Sequence, residues 1–215
     1  FPIWEPYDIF FKLSRLMGSR RSAKPTELIQ IKDRTFFQKL ATWVRANMLI
    51  PDPRIFWVRP SVSFLESFLK DNQIQTVVTT GPPHSLHLIG LTLKKKVPAL
   101  RWIADFRDPW SEWGLLDSLG VSARARRRHQ ELEAKVLASA NQVLTITPFY
   151  VRRFKTLGRR NVHLIANGYD ESDFPVRPYV RPDKFVIRHV GVNNEKCDPR
   201  SFMRVVEALA AENKE

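Results

Sequence analysis

The chain has 215 residues, enough for one well-packed domain and part of another; its single cysteine, Cys197, excludes an intrachain disulfide. No apolar run approaches the roughly 18 residues that span a bilayer, and the opening "FPIWEPYD" lacks the charged start and apolar middle of a signal peptide, so a cytoplasmic protein, soluble or peripheral to the membrane, is expected. The formal charge of +13 calls for an anionic partner without choosing between phosphate, nucleic acid and lipid.

In chain order, Ile9, Phe10, Leu13, Leu16 and Met17 fall at helical spacing, with Gly18 as a stop. A basic loop, "GSRRSAKPT", leads into a longer predicted helix from Thr26, with Phe36, Phe37, Leu40, Trp43, Val44 and Met48 on one core-facing side, closed by Pro51. "SVSFLESFLKDN" predicts another helix, with Ser63 and Glu66 at the spacing of a capping box. After Asn72 the pattern alternates. "IQTVVTT" reads as a strand, "SLHLIGLTLKKK" as a helix, "ALRWIAD" as a strand, and residues 122–140 as a helix with Leu132, Val136, Leu137 and Ala140 inward. "QVLTIT" is a third strand, "PFYVRRFKTL" a helix with Pro148 at its start, and "VHLI" a fourth strand ending in the turn signal "ANGYD". Strands alternating with helices imply right-handed crossovers and a Rossmann-like α/β fold, a parallel sheet with helices on both faces.

"FPVRPYVRPDK" carries three prolines and reads as a linker, after which "FVIRHVG" predicts a strand and "DPRSFMRVVEALAAEN" a helix. The expected organisation is an incomplete first domain over 1–174, a linker over 175–184 and the start of a second Rossmann-like domain over 185–215. The missing initial methionine and the ending inside a predicted helix suggest a piece of a longer protein.

In an open parallel sheet, ligands bind outside the carboxyl ends of the strands. Four loops of this chain, "GPPHSLH", "DFRDPW", "TPFY" and "NGYD", fall at such ends. "TTGPPHSLHLIGL", "WIADFRDPW", "ANQVLTITPFYVRRF" and "VHLIANGYDESDF", in this order and followed by a linker and "FVIRHVG", resemble the acceptor-side half of a GT-B glycosyltransferase of family 4, from about Thr76 to the end. "NGYD" is similar to that family's turn before the linker, and "FVIRHVG" to the strand and turn that open its donor domain.

Asp105 and Asp108 have two readings, caps of the turn after the strand or carboxylates that bind sugar hydroxyls. Arg107 offers a fork of donors to phosphate or to its acidic neighbours. The resemblance places a histidine at this strand end, where the chain has "DFRD", leaving Asp105 as the nearest substitute. With Arg107 and Asp108 it makes the candidate catalytic group. His84 and His87 flank the start of a helix whose free amides suit an anion, and each is also open to a local hydrogen-bonding role. Gly81 serves backbone approach or a turn, Asn167 and Gly168 a turn or the cleft, and Thr147 stands at another strand end. These six are the candidate substrate-binding residues. By the resemblance, Lys196 and Arg200 are the candidates for the donor diphosphate.

The resemblance implies retaining transfer of a sugar from a nucleotide-sugar donor to a sugar or lipid-linked acceptor, in cell-envelope or polysaccharide biosynthesis. No cofactor and no metal are expected, since "DFRD" offers too few oxygen ligands, and this stretch of chain alone is expected to be inactive. The predicted helix from Thr26 also carries Lys32, Arg34, Lys39 and Arg45 around its aromatic residues, compatible with an anionic membrane surface. Two rival readings are a basic nucleic-acid-binding protein, from "RARRRHQ", and a non-catalytic nucleotide-binding module. The first lacks any zinc-finger, helix-turn-helix or RNP pattern, so no specific nucleic-acid partner is expected; the second lacks a G-x-G-x-x-G or Walker sequence.

Overall fold

The computed structural model describes residues 36–112, 114–157, 161–174, 183–191 and 198–212. The chain divides into two units, Phe1–Gly168 and Tyr169–Glu215.

The first unit has a Rossmann-like α/β architecture. Helix α1 (Phe36–Met48), a 3₁₀ turn (Pro53–Trp57) and helix α2 (Val58–Asp71) precede the sheet. Strands β1 (Thr76–Gly81), β2 (Arg101–Phe106), β3 (Gln142–Thr145) and β4 (Val162–Leu164) alternate with helices α3 (Ser85–Lys96), α4 (Leu115–Ser118), α5 (Ala123–Ser139) and α6 (Pro148–Thr156). All neighbouring strands are parallel and stand in the order β1-β2-β3-β4.

The strands are read from their period of two. Thr79, Trp102, Ala104, Phe106, Val143, Thr145 and Val162 are buried on one face, under Leu88 and Leu91 of α3, Leu132, Val136 and Leu137 of α5, and Phe154 of α6. A second cluster joins Val62 and Leu69 of α2 to Ile89 and Leu93 of α3. Trp102 lies so close against α3 that a Cβ on Gly90 would sit 2.3 Å from its indole nitrogen.

Helices on both faces are not what the described residues show. α3, α5 and α6 pack on the same face, as right-handed crossovers must when each strand is added on the same side of the last. On the opposite face Val78 and Thr80 are exposed, and Ile103, Asp105 and Leu144 are half-buried.

Local signals explain the helix ends. Ser122 caps α5, its hydroxyl accepting from the Ala125 amide at 3.2 Å, and Thr147 caps α6, accepting from the Tyr150 amide at 3.3 Å just before Pro148. The capping box at Ser63 and Glu66 does not form. The 3₁₀ turn, capped by Asp52, runs directly into α2 at Val58, so Ser63 lies inside the helix and Glu66 pairs with Lys96 instead. The face of α1 expected to point inward is also corrected: Phe36, Leu40, Trp43 and Met48 are exposed and Val44 is half-buried, while Ala46 is buried. The predicted helix over residues 9–17 and the first part of the one from Thr26 lie outside the described residues.

In the second unit, a short 3₁₀ turn (Glu171–Asp173) and helix α7 (Arg200–Glu212) are formed. The strand expected from Phe185 is not: residues 185–190 carry no strand pairing, since the described part of this unit holds no other strand to pair with. No described helix is long and apolar enough to cross a membrane.

Candidate functional site

Each of the four strands contributes to one cavity where its carboxyl end leaves the sheet. Pro82 follows β1, Arg107 and Asp108 follow β2, Ile146 follows β3, and Asn167 and Gly168 follow β4; together they line an open cavity of about 550 Å³. Arg107 is held at both ends. Its amide donates to the Gly81 carbonyl at 3.0 Å, extending the β1–β2 ladder, and its Nη2 donates to the Pro82 carbonyl at 3.1 Å. A guanidinium anchored by one nitrogen keeps other donors for an anionic or hydroxylated ligand. Gly168 does not take up positive φ, and a Cβ there would meet nothing within 4 Å. Residues 165–170 run without a turn, so the Asn-Gly pair is not a turn in this fold.

Asp105 lies elsewhere. It is inside β2, on the open face of the sheet, and accepts from the Thr80 hydroxyl at 2.8 Å across the β1–β2 register. It does not line the cavity shared by Arg107 and Asp108.

Gly81, His84 and His87 form an internal knot rather than an open anion site. His87 is fully buried, its ring stacked on Phe106 at 4.4 Å and its Nδ1 2.9 Å from the Thr79 hydroxyl, which also accepts from Trp102 Nε1 at 2.9 Å. His84 stacks parallel on Trp110 at 5.0 Å. A Cβ on Gly81 would stand 2.6 Å from His87 Nε2 and 2.9 Å from His84 Nδ1, so glycine is required by the two rings. Burial holds His84 at about 4 and His87 at about 3, so both are neutral near pH 7. The helix start beside them is already occupied: the Ser85 amide donates to Asp52 Oδ2 at 2.7 Å, and this carboxylate takes the place foreseen for an external anion.

The segment that closes "ALRWIADFRDPW" therefore has two destinations. Arg107 and Asp108 face the cavity, while Trp110 turns back into the core. Trp110 Nε1 donates to His129 Nδ1 at 3.0 Å, and the Ser111 hydroxyl donates to the Glu133 carboxylate. His129 and Glu133 stand one helical turn apart on α5 and fasten this loop. Burial lowers His129 to about 4 and raises Glu133. Sequence reasoning missed Asp52, His129 and Glu133. The spacing of four between His129 and Glu133 was their one signal, and nothing in it tells a buried pair from a solvated helix face.

Thr147 is an α6 cap. Arg200 opens α7, mostly exposed and bonded to Asp198 at 2.6 Å. Lys196 lies outside the described residues. Among the described residues no cluster of three or more His, Cys, Asp or Glu side chains is placed to hold a metal ion.

No protein family, curated protein or solved structure matches the chain.

Proposed function

We propose that this chain is the acceptor-side part of a GT-B glycosyltransferase, transferring a sugar with retention from a nucleotide-sugar donor to a sugar or lipid-linked acceptor in envelope or polysaccharide synthesis. The observation that carries the reading is the cavity to which all four consecutive strands contribute, with Arg107, Asp108 and Asn167 presented together on a sheet edge of Rossmann-like topology.

Glycosyl transfer passes through an oxocarbenium-like state and a departing diphosphate, so a site needs acceptors for hydroxyls and donors for phosphate oxygens. In this reading Asp108 accepts from a hydroxyl of the reacting sugar or acceptor. Asn167 offers both a carbonyl and an amide to neighbouring hydroxyls, and Arg107 balances negative charge on the leaving group. Asp105, bonded to Thr80 on the open face, shapes the edge without touching ligand. The donor nucleotide belongs to a second α/β domain, to which α7 and the basic residues Lys196 and Arg200 are assigned. Peripheral attachment to the cytoplasmic face of a membrane is part of the same reading.

The test is release of nucleoside diphosphate by the complete natural gene product, incubated with UDP-, GDP- and ADP-sugars in the presence of an acceptor panel. Release from at least one donor supports the proposal, and absence of release from every donor overturns it.

A further inference from the structure

Helix α1 carries a row of exposed apolar residues. Phe36, Leu40 and Trp43 are 74%, 47% and 51% exposed, at the i, i+4, i+7 spacing that lines one helix face. Asn47 is next in that row, and its side chain accepts from the Ser122 amide at 2.8 Å and donates to the Gly120 carbonyl at 3.4 Å. Those two bonds pin the end of the apolar row to the start of α5, since Ser122 is the α5 cap.

The start of α5 is unusually basic. Arg124, Arg126, Arg127 and Arg128 occupy its first two turns, with no acidic residue in the first. Cations at a helix N-terminus oppose the helix dipole, so this clustering works against the isolated helix. Arg126 is neutralised by Asp117, and Arg128 faces Glu131 at 3.4 Å. Arg124 and Arg127 are exposed, and among the described residues no carboxylate pairs with either. Lys39 adds an exposed cation on α1.

We propose that α1 and the first turns of α5 together form a docking surface for an anionic lipid bilayer. The arginines meet lipid phosphates while Phe36, Leu40 and Trp43 enter the headgroup boundary, the division of labour of an interfacial helix. Nucleic acid would satisfy the arginines equally, but it offers an aliphatic Leu40 nothing; the apolar row favours lipid. The inference deepens the peripheral-attachment reading and is independent of the transfer chemistry.

The experiment is sedimentation of the full chain with phosphatidylcholine vesicles containing about one third phosphatidylglycerol, and with phosphatidylcholine alone, near physiological salt. Binding to the anionic vesicles only is expected. Arg124→Glu/Arg127→Glu and, separately, Phe36→Ser/Trp43→Ser should each weaken it about tenfold or more. All four side chains are exposed, so unchanged melting profiles are expected and verify that both variants fold. Absence of binding to anionic vesicles, or binding that neither pair alters, overturns the proposal. So does a surface that holds a random-sequence DNA duplex at the same salt through Arg124 and Arg127 while vesicle binding ignores Phe36 and Trp43. The assay contains no nucleotide sugar, so its failure leaves the transfer reading standing, and failure of transfer leaves this one.

Discussion

Asp52 caps two helical segments with its two carboxylate oxygens, Oδ1 accepting from the Arg54 amide at 3.0 Å and Oδ2 from the Ser85 amide at 2.7 Å. The first bond starts the 3₁₀ turn before α2, and the second ties that turn to α3 across 33 residues. Asp52→Ala should destabilise the domain by about 1–3 kcal/mol, the sum of a local and a tertiary cap. It also vacates an anion position at a helix N-terminus. Inorganic phosphate is therefore expected to raise the melting temperature of the alanine variant and leave the parent unchanged; equal responses of the two would show that Asp52 does not occupy the site.

The glycines separate packing from ligand approach. Gly81→Ala and Gly90→Ala each drive a Cβ into buried rings, at 2.6 Å from His87 Nε2 and 2.3 Å from Trp102 Nε1 respectively. Each should cost about 1–3 kcal/mol or more, although alanine favours the helix around residue 90 by about 1 kcal/mol. Gly168→Ala meets nothing within 4 Å and should leave stability unchanged. Denaturant unfolding of the three variants checks the ranking.

Acid should unfold the protein through its histidines. Burial lowers His84 and His129 from 6.5 to about 4 and His87 from 6.5 to about 3. Unfolding returns each to its ordinary value, so between those limits the unfolded chain binds more protons than the folded one. Stability is then full above about pH 6.5 and falls as the pH drops toward 4, by up to about 1.4 kcal/mol per pH unit for each group. His84→Phe keeps a ring against Trp110 and removes one titrating group, so its stability should fall less steeply in that range. Urea unfolding at a series of pH values tests this, and parallel slopes for parent and variant would contradict it.

The repeating part of the fold was legible in the sequence, and the tertiary part was not. The β-branched run in "TVVTTG", the apolar run in "RWIADF" and Pro148 at a helix start are local signals, so all four strands and helices α3, α5 and α6 follow from local pattern, while the short α4 does not. Which apolar face is covered depends on neighbours. Phe36, Leu40 and Trp43 have the spacing of a core face, yet lie exposed, and the same strand count is compatible with one covered face or two. At the site, Arg107, Asp108, Asn167 and Gly168 were reachable because strand ends are visible in sequence. For His84 and His87 the sequence leaves ligand binding and a local hydrogen-bonding role both open, because the stack of His84 on Trp110 and the bond from Asp52 to Ser85 join segments distant in the chain.

The 215-residue chain should not hold a nucleotide sugar by itself. The described part of its second unit has no strand, and Phe202, Met203, Val205 and Leu209 of α7 remain about half exposed, so the described residues give α7 no core to pack into. Calorimetric titration with UDP-, GDP- and ADP-sugars should show no affinity tighter than about millimolar, because donor binding needs groups held in place on both sides of a cleft. Micromolar binding would favour a self-sufficient nucleotide-binding module.

The most direct test of the central claim is turnover by Asp108→Asn in the complete natural gene product, with melting temperature measured beside it. Asp108 lines the cavity with Arg107 and Asn167, and no described contact makes its carboxylate part of the core. The account predicts a loss of transfer of about a hundredfold with the melting temperature unchanged, the size expected when one positioned polar group that stabilises the transition state is removed. Parent-like turnover in the asparagine variant would contradict it and remove the strand-end cavity as the site of transfer.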